Sequence, residues 1–408
     1  MESKQLEFSK DLQSLLNNYI RLEDLGSLFS RLNTRSSKGI ASVDDSSFDR
    51  IEDEDKIANE RFQIDRAITY AGENLSGEKY YDLLLNLSEL CISHGKLNLA
   101  HEIVNKTGKE SEEQDIIAKS YLVLSDFYSR KANWEKSLNS AAKAGYMFSR
   151  MKDKVGVAKS ENIIGAIYGE KGEINKAMSH FEKSLDNLNP ENDKELTAKL
   201  EANLGVINNI YSNFDKALEY FNNALLKFEE LDDTRRIAEI KYNIGMLYRD
   251  QNQYHSALKE FDKAIKISEK EGYKPILGLS YVSKTNILVE LKEFTLASAF
   301  ADKAVAICHE LDDKLSIAEV YMLKGVIEKN RKNYELAFAN LLSALRINKR
   351  LDNWMNIAET CENLADLCRE TDEKEEAEKY LLKALSYYSR VDMGEKTLEI
   401  LEKIDELR

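Results

Sequence analysis

The chain has 408 residues, with 58 Lys and Arg against 72 Asp and Glu, and a formal charge of −14. That balance works against a surface that tracks phosphates by counterion release, so nucleic acid is not expected as a partner. Two prolines and 17 glycines are too few to punctuate a strand-and-turn fold, and the expectation is an all-α protein. No stretch approaches ~18 consecutive apolar residues, which excludes a membrane-spanning helix from the expectation.

Residues 1–33 carry Leu6, Phe8, Leu12, Leu15, Leu16, Tyr19, Ile20 and Leu22 at helical spacing, which predicts an amino-terminal helical segment. The opening MESKQLEFSK has neither the basic-then-apolar run of a secretory signal nor the Arg-rich character of a transit peptide, so a cytoplasmic location is expected. Residues 34–56 turn to Ser, Gly and Asp, with Ser46 and Ser47 ahead of Asp49, Glu52, Asp53, Glu54 and Asp55, and read as an acidic linker. Residues 57–78 form a lead-in helix that passes through the Ser76-Gly77 turn into a repeating region at 79–391. The last segment, 392–408, carries Leu398, Leu401, Ile404 and Leu407 with Ile400 as a stripe on one helix. It is expected to cap the preceding helices, with the start of a coiled coil as the alternative.

Within 79–391 a small residue is followed twelve positions later by Ala or Ser: Ser88 and Ala100, Ser125 and Ser137, Gly165 and Ala177, Gly205 and Ala217, Gly245 and Ala257, Thr285 and Ala297, Gly325 and Ala337, Ala365 and Ala377. The first step is 37 residues and every later one is 40. Four residues past the Ala lie Phe181, Phe221, Phe261, Leu341 and Leu381, and three further on lie Ala144, Ala224, Ala264, Ala304, Ala344 and Ala384. Three residues before it come Trp134, Ile174, Phe214, Tyr254, Phe294 and Tyr334. Each unit is therefore two amphipathic helices around a short turn. The small residues let the helices approach closely, and the aromatic residues fill the wedge between them. Links such as Leu231-Asp232-Asp233, Leu311-Asp312-Asp313 and Leu351-Asp352-Asn353 place a capping side chain at the start of the next helix.

On these residues the sequence resembles the tetratricopeptide repeat (TPR) family. The family's Leu-Gly, Tyr, Ala, aromatic and Ala pattern appears as Ile244-Gly245, Tyr248, Ala257, Phe261 and Ala264, and as Leu204-Gly205, Asn208, Ala217, Phe221 and Ala224. The 40-residue period is similar to that of kinesin light chains, Leu-Gly-Asn-type adaptors and bacterial signalling arrays. The leading Trp is absent from every unit, Lys284 and Lys324 occupy the usual Leu, and Lys374 replaces the inter-helix aromatic of the last unit. The resemblance implies a right-handed superhelical solenoid of about eight helix pairs, with an amino-terminal helical extension and a carboxy-terminal capping helix. The first helix of each unit then lines a concave groove.

No catalytic constellation is legible. His94, His101, His180, His255 and His309 are scattered over different units. Cys91, Cys308, Cys361 and Cys368 contain no CxxC pair, so neither a metal nor a cofactor is expected. Function falls to the groove, where Asn203, Asn243 and Asn363 sit two residues before the small residue. In arrays of this resemblance, Asn at that place grips the backbone of an extended ligand, one amide supplying both donor and acceptor. The alternative is that these Asn residues only bond to the neighbouring helix. Tyr242, Met246 and Arg249 join them, with Asn162, Asn286, Met322, Lys329 and Arg369 in other units. Groove polarity reads as mixed, Arg249, Lys329 and Arg369 opposing Glu290, Asp250 and Asp366. The leading expectation is a non-catalytic cytoplasmic adaptor that binds a peptide or partner protein in the groove, without membrane or nucleic acid. A peptide-responsive bacterial regulator with an amino-terminal effector region is the second reading. A sensory front end for an enzyme, dimerising through its terminal helices, is the third.

Overall fold

The computed structural model describes residues 2–20, 61–94, 96–131, 133–391 and 393–407. Among them are 19 helices and no strand. Helix α1 (Glu2–Asn17) and α2 (61–74) precede the helix pairs. The pairs are α3 (Gly77–Ser93) with α4 (Leu97–Glu110), α5 (Gln114–Arg130) with α6 (Trp134–Met151), and α7 (Lys154–Glu170) with α8 (Ile174–Asp186). They continue as α9 (Lys194–Ile210) with α10 (Phe214–Glu230), α11 (Thr234–Asp250) with α12 (Tyr254–Glu271), and α13 (Lys274–Glu290) with α14 (Phe294–Leu311). The last are α15 (Lys314–Asn330) with α16 (Tyr334–Arg350) and α17 (Trp354–Glu370) with α18 (Lys374–Arg390), followed by α19 (Gly394–Leu407). The chain forms two compact units, Met1–Asn203 and Leu204–Arg408, and the division falls inside α9. The 34–56 linker and residues 21–33 of the amino-terminal segment lie outside the described residues.

In the first unit, Phe8, Leu12, Leu16 and Ile20 are buried in one cluster with Ile64, Ala67 and Ala71 of α2 and with Leu83, Leu84 and Leu87 of α3. The helical spacing of the amino-terminal apolar residues thus has a receiving surface. Where Ser125 and Ser137 replace the usual Gly and Ala, the two helices are stitched reciprocally. Ser125 Oγ donates to the Ser137 carbonyl at 2.8 Å, and Ser137 Oγ donates to the Ser125 carbonyl at 2.7 Å.

In the second unit, a Cβ added at Gly205 would stand 2.6 Å from the Phe221 ring, and one at Gly245 would stand 2.6 Å from Phe261. Only glycine permits those rings to lie against the first helix of the pair. The departures from the family pattern have local causes. Lys284 pairs with Asp262 and lies over the Phe300 ring, 4.1 Å from its centroid. Lys324 pairs with Asp302 at 2.7 Å. The Lys284 stem thus covers apolar surface, and the head of each lysine meets an acid on the preceding helix. The linker residues Asp233, Asp313 and Asn353 are the caps of α11, α15 and α17, accepting from Arg236, Ser316 and Asn356 amides at 3.0, 3.2 and 3.2 Å.

The stripe expected on α19 is corrected by its packing. Ile400 and Ile404 are buried, whereas Leu398 and Leu401 are 63% and 42% exposed. Residues four apart share a face at 100° per residue, and 398 and 401 are turned away from it.

Candidate functional site

Counted from the small residue of each pair as position 0, the first helices carry their polar inner residues at −6, −3, −2, +1 and +4. That these positions converge is visible in the electrostatics of each unit. In the first, burial pushes the Glu89 carboxyl upward, Lys159 and Lys199 of α7 and α9 oppose it, and Asp126 of α5 adds to it. Glu89 therefore senses three later helices, as a residue on a shared inner face must. In the second unit, burial pushes Glu319 upward, Arg249 of α11 opposes, and Glu359 of α17 adds to the rise; Asn286 of α13 hydrogen-bonds the carboxyl. Charges on α11 and α17 and an amide on α13 thus all act on one acid of α15.

Position −6 changes sign along the chain. It holds Asp82 in the first pair, Lys119, Lys159 and Lys199 in the next three, then Glu239, Leu279, Glu319, Glu359 and, one period on, Glu399. Several are neutralised on their own helix: Lys119 by Asp115 at 2.6 Å, Glu239 by Arg236 at 2.6 Å and Glu399 by Lys396 at 2.7 Å. Among the described residues, Lys159, Glu319 and Glu359 have no ion-pair partner within 4 Å. The Glu359 carboxyl is also raised, by burial and then by Glu362. Glu362 itself is lowered: burial works against ionisation, but Lys403 at 2.5 Å and the Tyr388 hydroxyl at 2.9 Å outweigh it.

The residues singled out from the sequence divide by what they touch. In the first unit, Asn203 Nδ2 donates to Asn162 Oδ1 at 3.2 Å, joining α9 to α7. In the second unit, the Tyr242 hydroxyl lies 3.4 Å from Ser283 Oγ, and that oxygen lies 3.6 Å from Met246 Sδ. Burial pushes the Tyr242 hydroxyl upward, so it stays protonated and able to donate. Met322 Sδ lies 3.8 Å from Thr360 Oγ1. Arg249 pairs with Asp250 at 2.8 Å, Lys329 approaches Glu370 at 3.9 Å and Arg369 meets Glu406 at 3.3 Å. Asn363 Nδ2 donates to the Glu359 carbonyl of its own helix at 3.0 Å. Asn243 is half-buried and makes no hydrogen bond with any described residue. The three Asn residues are therefore unequal: Asn203 and Asn363 have committed their donors, and Asn243 has committed nothing.

Ser283, Glu319 and Glu359 belong to this surface and escaped the sequence reading. Position −6 was available in the same 40-residue alignment, where its charges can be read pair by pair. Tyr19 was also missed as a contact. Its hydroxyl donates to Asp82 Oδ2 at 2.5 Å and accepts from Asn86 Nδ2 at 2.8 Å. Asn86 is the residue two before Ser88, the counterpart of Asn203 in the first helix pair.

The sequence model of the tetratricopeptide repeat family matches residues 195–270 and 316–390. No curated protein matches the chain. Among solved structures, it is similar to a Rap protein complexed with competence and sporulation factor, with TM-score 0.56, 15% identity, and coverage of 86% of this chain and 93% of that one. It is similar to the Rap conjugation gene regulator of plasmid pLS20 in complex with the Phr* peptide, with TM-score 0.52, 14% identity and coverage of 80% and 93%. It is also similar to a signal-transduction ATPase with a tetratricopeptide repeat sensor from Pyrococcus horikoshii, with TM-score 0.59, 16% identity and coverage of 82% and 54%. At these identities the likeness is one of fold. No described helix is long and apolar enough to cross a membrane.

Proposed function

Because this chain is a tetratricopeptide repeat protein, we propose that it is a non-catalytic cytoplasmic scaffold whose first helices bind an extended segment of a peptide or partner protein. The observation that carries the reading is Asn243, whose amide is half-buried, without a hydrogen-bond partner among the described residues, and next to Tyr242. A half-buried amide with both its donor and its acceptor uncommitted suits a ligand backbone, which offers one of each. Asn203 contributes only its acceptor oxygen, Asn363 likewise, and Met246 and Met322 supply adaptable apolar contact. Glu319 and Glu359, which have no ion-pair partner within 4 Å among the described residues, favour a segment that brings a basic side chain to the second unit.

The test is selection of a displayed random-peptide library on the purified protein and on the Asn203→Ala, Asn243→Ala double variant. Peptides enriched on the parent should bind the variant more weakly by about 1–3 kcal/mol, the range for leaving buried polar groups unmet. Peptides that bind both forms equally would remove the Asn residues from the site.

A second reading, a peptide-responsive regulator with an amino-terminal effector region, is favoured by Tyr19. The amino-terminal segment bonds Asn86, the counterpart in the first helix pair of the Asn residues proposed to take a ligand backbone. Repeating the selection on the Tyr19→Phe variant tests whether the segment masks the site: a masking segment predicts tighter peptide binding when its anchor is lost, and unchanged binding removes that role.

A further inference from the structure

In the first unit a cavity of about 610 Å³ opens between α4, the end of α5 and the start of α6. It is built from the second helix of one pair and the turn of the next, not from the inner positions described above. Its floor is aromatic. The His101 ring stacks on Phe127 with centroids 4.5 Å apart and planes 20° apart, and meets Tyr128 edge-on at 6.2 Å. Two ammonium groups stand over those rings, Lys131 4.9 Å from the Phe127 centroid and Lys136 5.5 Å from the Tyr128 centroid. Among the described residues no carboxylate lies within ion-pair distance of either lysine; the polar contact of the Lys131 ammonium is the Asn98 amide oxygen at 3.5 Å. Glu102, the carboxylate of the lining, is turned to Arg61 of α2 at 2.7 Å. In a chain of charge −14 these are two cations facing one space whose lining carboxylate is paired elsewhere.

We propose that this cavity binds a phosphoryl group, with Lys131 and Lys136 meeting its charge and the His101 ring and the Asn98 and Asn133 amides donating to its remaining oxygens. The charge count selects the class. A phosphate monoester carries about −1.5 to −2 at neutral pH, matching two ammonium groups, whereas a carboxylate leaves one of them uncompensated. The volume lies within the range of small-ligand pockets, about 300–1,000 Å³, and leaves room for a carrier beside the phosphoryl group. The empty site has a signature. Burial, then Lys131 and Lys136, hold the His101 imidazole below its usual pKa, with Glu102 opposing them weakly. A bound dianion reverses the effect of the lysines and raises that pKa.

The experiment follows the five histidine ring resonances of the full chain through pH titrations, at matched ionic strength, in chloride, inorganic phosphate, glucose 6-phosphate and a phosphoserine peptide. His101 is assigned with a His101→Gln variant. The expected result is a saturable rise of the His101 pKa alone, absent from chloride and weakened roughly tenfold or more in the Lys131→Met, Lys136→Met double variant, as loss of charge-assisted bonds predicts. Both lysines are exposed, so that variant should keep the parent's circular dichroism. A Lys154→Met control should behave as the parent. Tighter binding of the sugar phosphate or of the peptide identifies the carrier. No saturation by any phosphoryl probe, or equal saturation in the double variant, overturns the site.

Discussion

Gly245 and Gly169 sit in the same kind of helix and carry opposite expectations. A Cβ at Gly245 would stand 2.6 Å from a Phe261 ring that is 0% exposed and has no room to retreat, while one at Gly169 would meet only the Ala177 Cβ at 4.0 Å. Gly245→Ala should cost about 1–3 kcal/mol in denaturant unfolding, the usual range for overpacking. Gly169→Ala should be neutral or stabilise by up to about 1 kcal/mol through helix propensity. Equal losses at the two positions would show that backbone conformation, not the ring, sets the cost. Glu319 makes a different residue-scale argument. Burial raises its carboxyl in the folded chain, so the folded state holds a proton more readily than the unfolded one. Its stabilising contribution is then fully present below the ordinary Glu value of about 4.3 and is lost as pH rises through the folded-state value. Glu319→Gln keeps the acceptor for Asn286 and removes the buried charge. The variant's Tm should exceed the parent's at pH 7 and converge with it toward pH 4; a lower Tm at pH 7 would mean that attraction to Arg249 outweighs burial.

At the scale of the element, the turns show what a sequence gives away and what it conceals. Ser212, Asn252, Lys292, Lys332 and Asp372, each seven residues past the small residue, have positive φ between 58° and 63°. Gly172 holds the same place at 74°. The caps Asp233, Asp313 and Asn353 were legible beforehand, because a short acceptor before a helix has a local purpose. The left-handed residue was not, because lysine has no such preference and is forced there by the helices on either side. An L side chain in this conformation costs roughly 1–2 kcal/mol, partly returned because glycine loses more chain entropy on folding. Lys292→Gly should therefore stabilise by about 0.5–1 kcal/mol and Gly172→Ala should destabilise by a similar amount, both read from urea midpoints. The α19 stripe was concealed for a related reason: the leucines alone suggested a face, but the face was chosen by Ile400 and Ile404, which have α17 and α18 to pack on.

For the whole molecule, the 40-residue register carried the fold, since one spacing fixed the small-residue position in every later pair and the aromatic position in most of them. The binding surface was only half legible. The Asn positions follow from the register, but whether an amide is spent on a neighbour, as Asn203 is, or left open, as Asn243 is, depends on the next helix. The docking of α1 was hidden because its partners lie some 60 residues away on α2 and α3, beyond any periodicity. Such a chain holds its stability locally, as the sum of each pair and its neighbouring interfaces. The four cysteines can test this because all are buried, Cys91 in the first unit and Cys308, Cys361 and Cys368 in the second. Burial pushes the last three thiols to about 11, so in the folded chain they are neither exposed nor ionised and should not react with a thiol reagent at neutral pH. Labelling followed against urea then reports each unit's opening separately. Gly245→Ala, which strains α11 against α12, should lower the urea concentration at which the three second-unit thiols appear and leave that of Cys91 in place. If Cys91 moves by the same amount, the units unfold as one cooperative body and the local account is wrong.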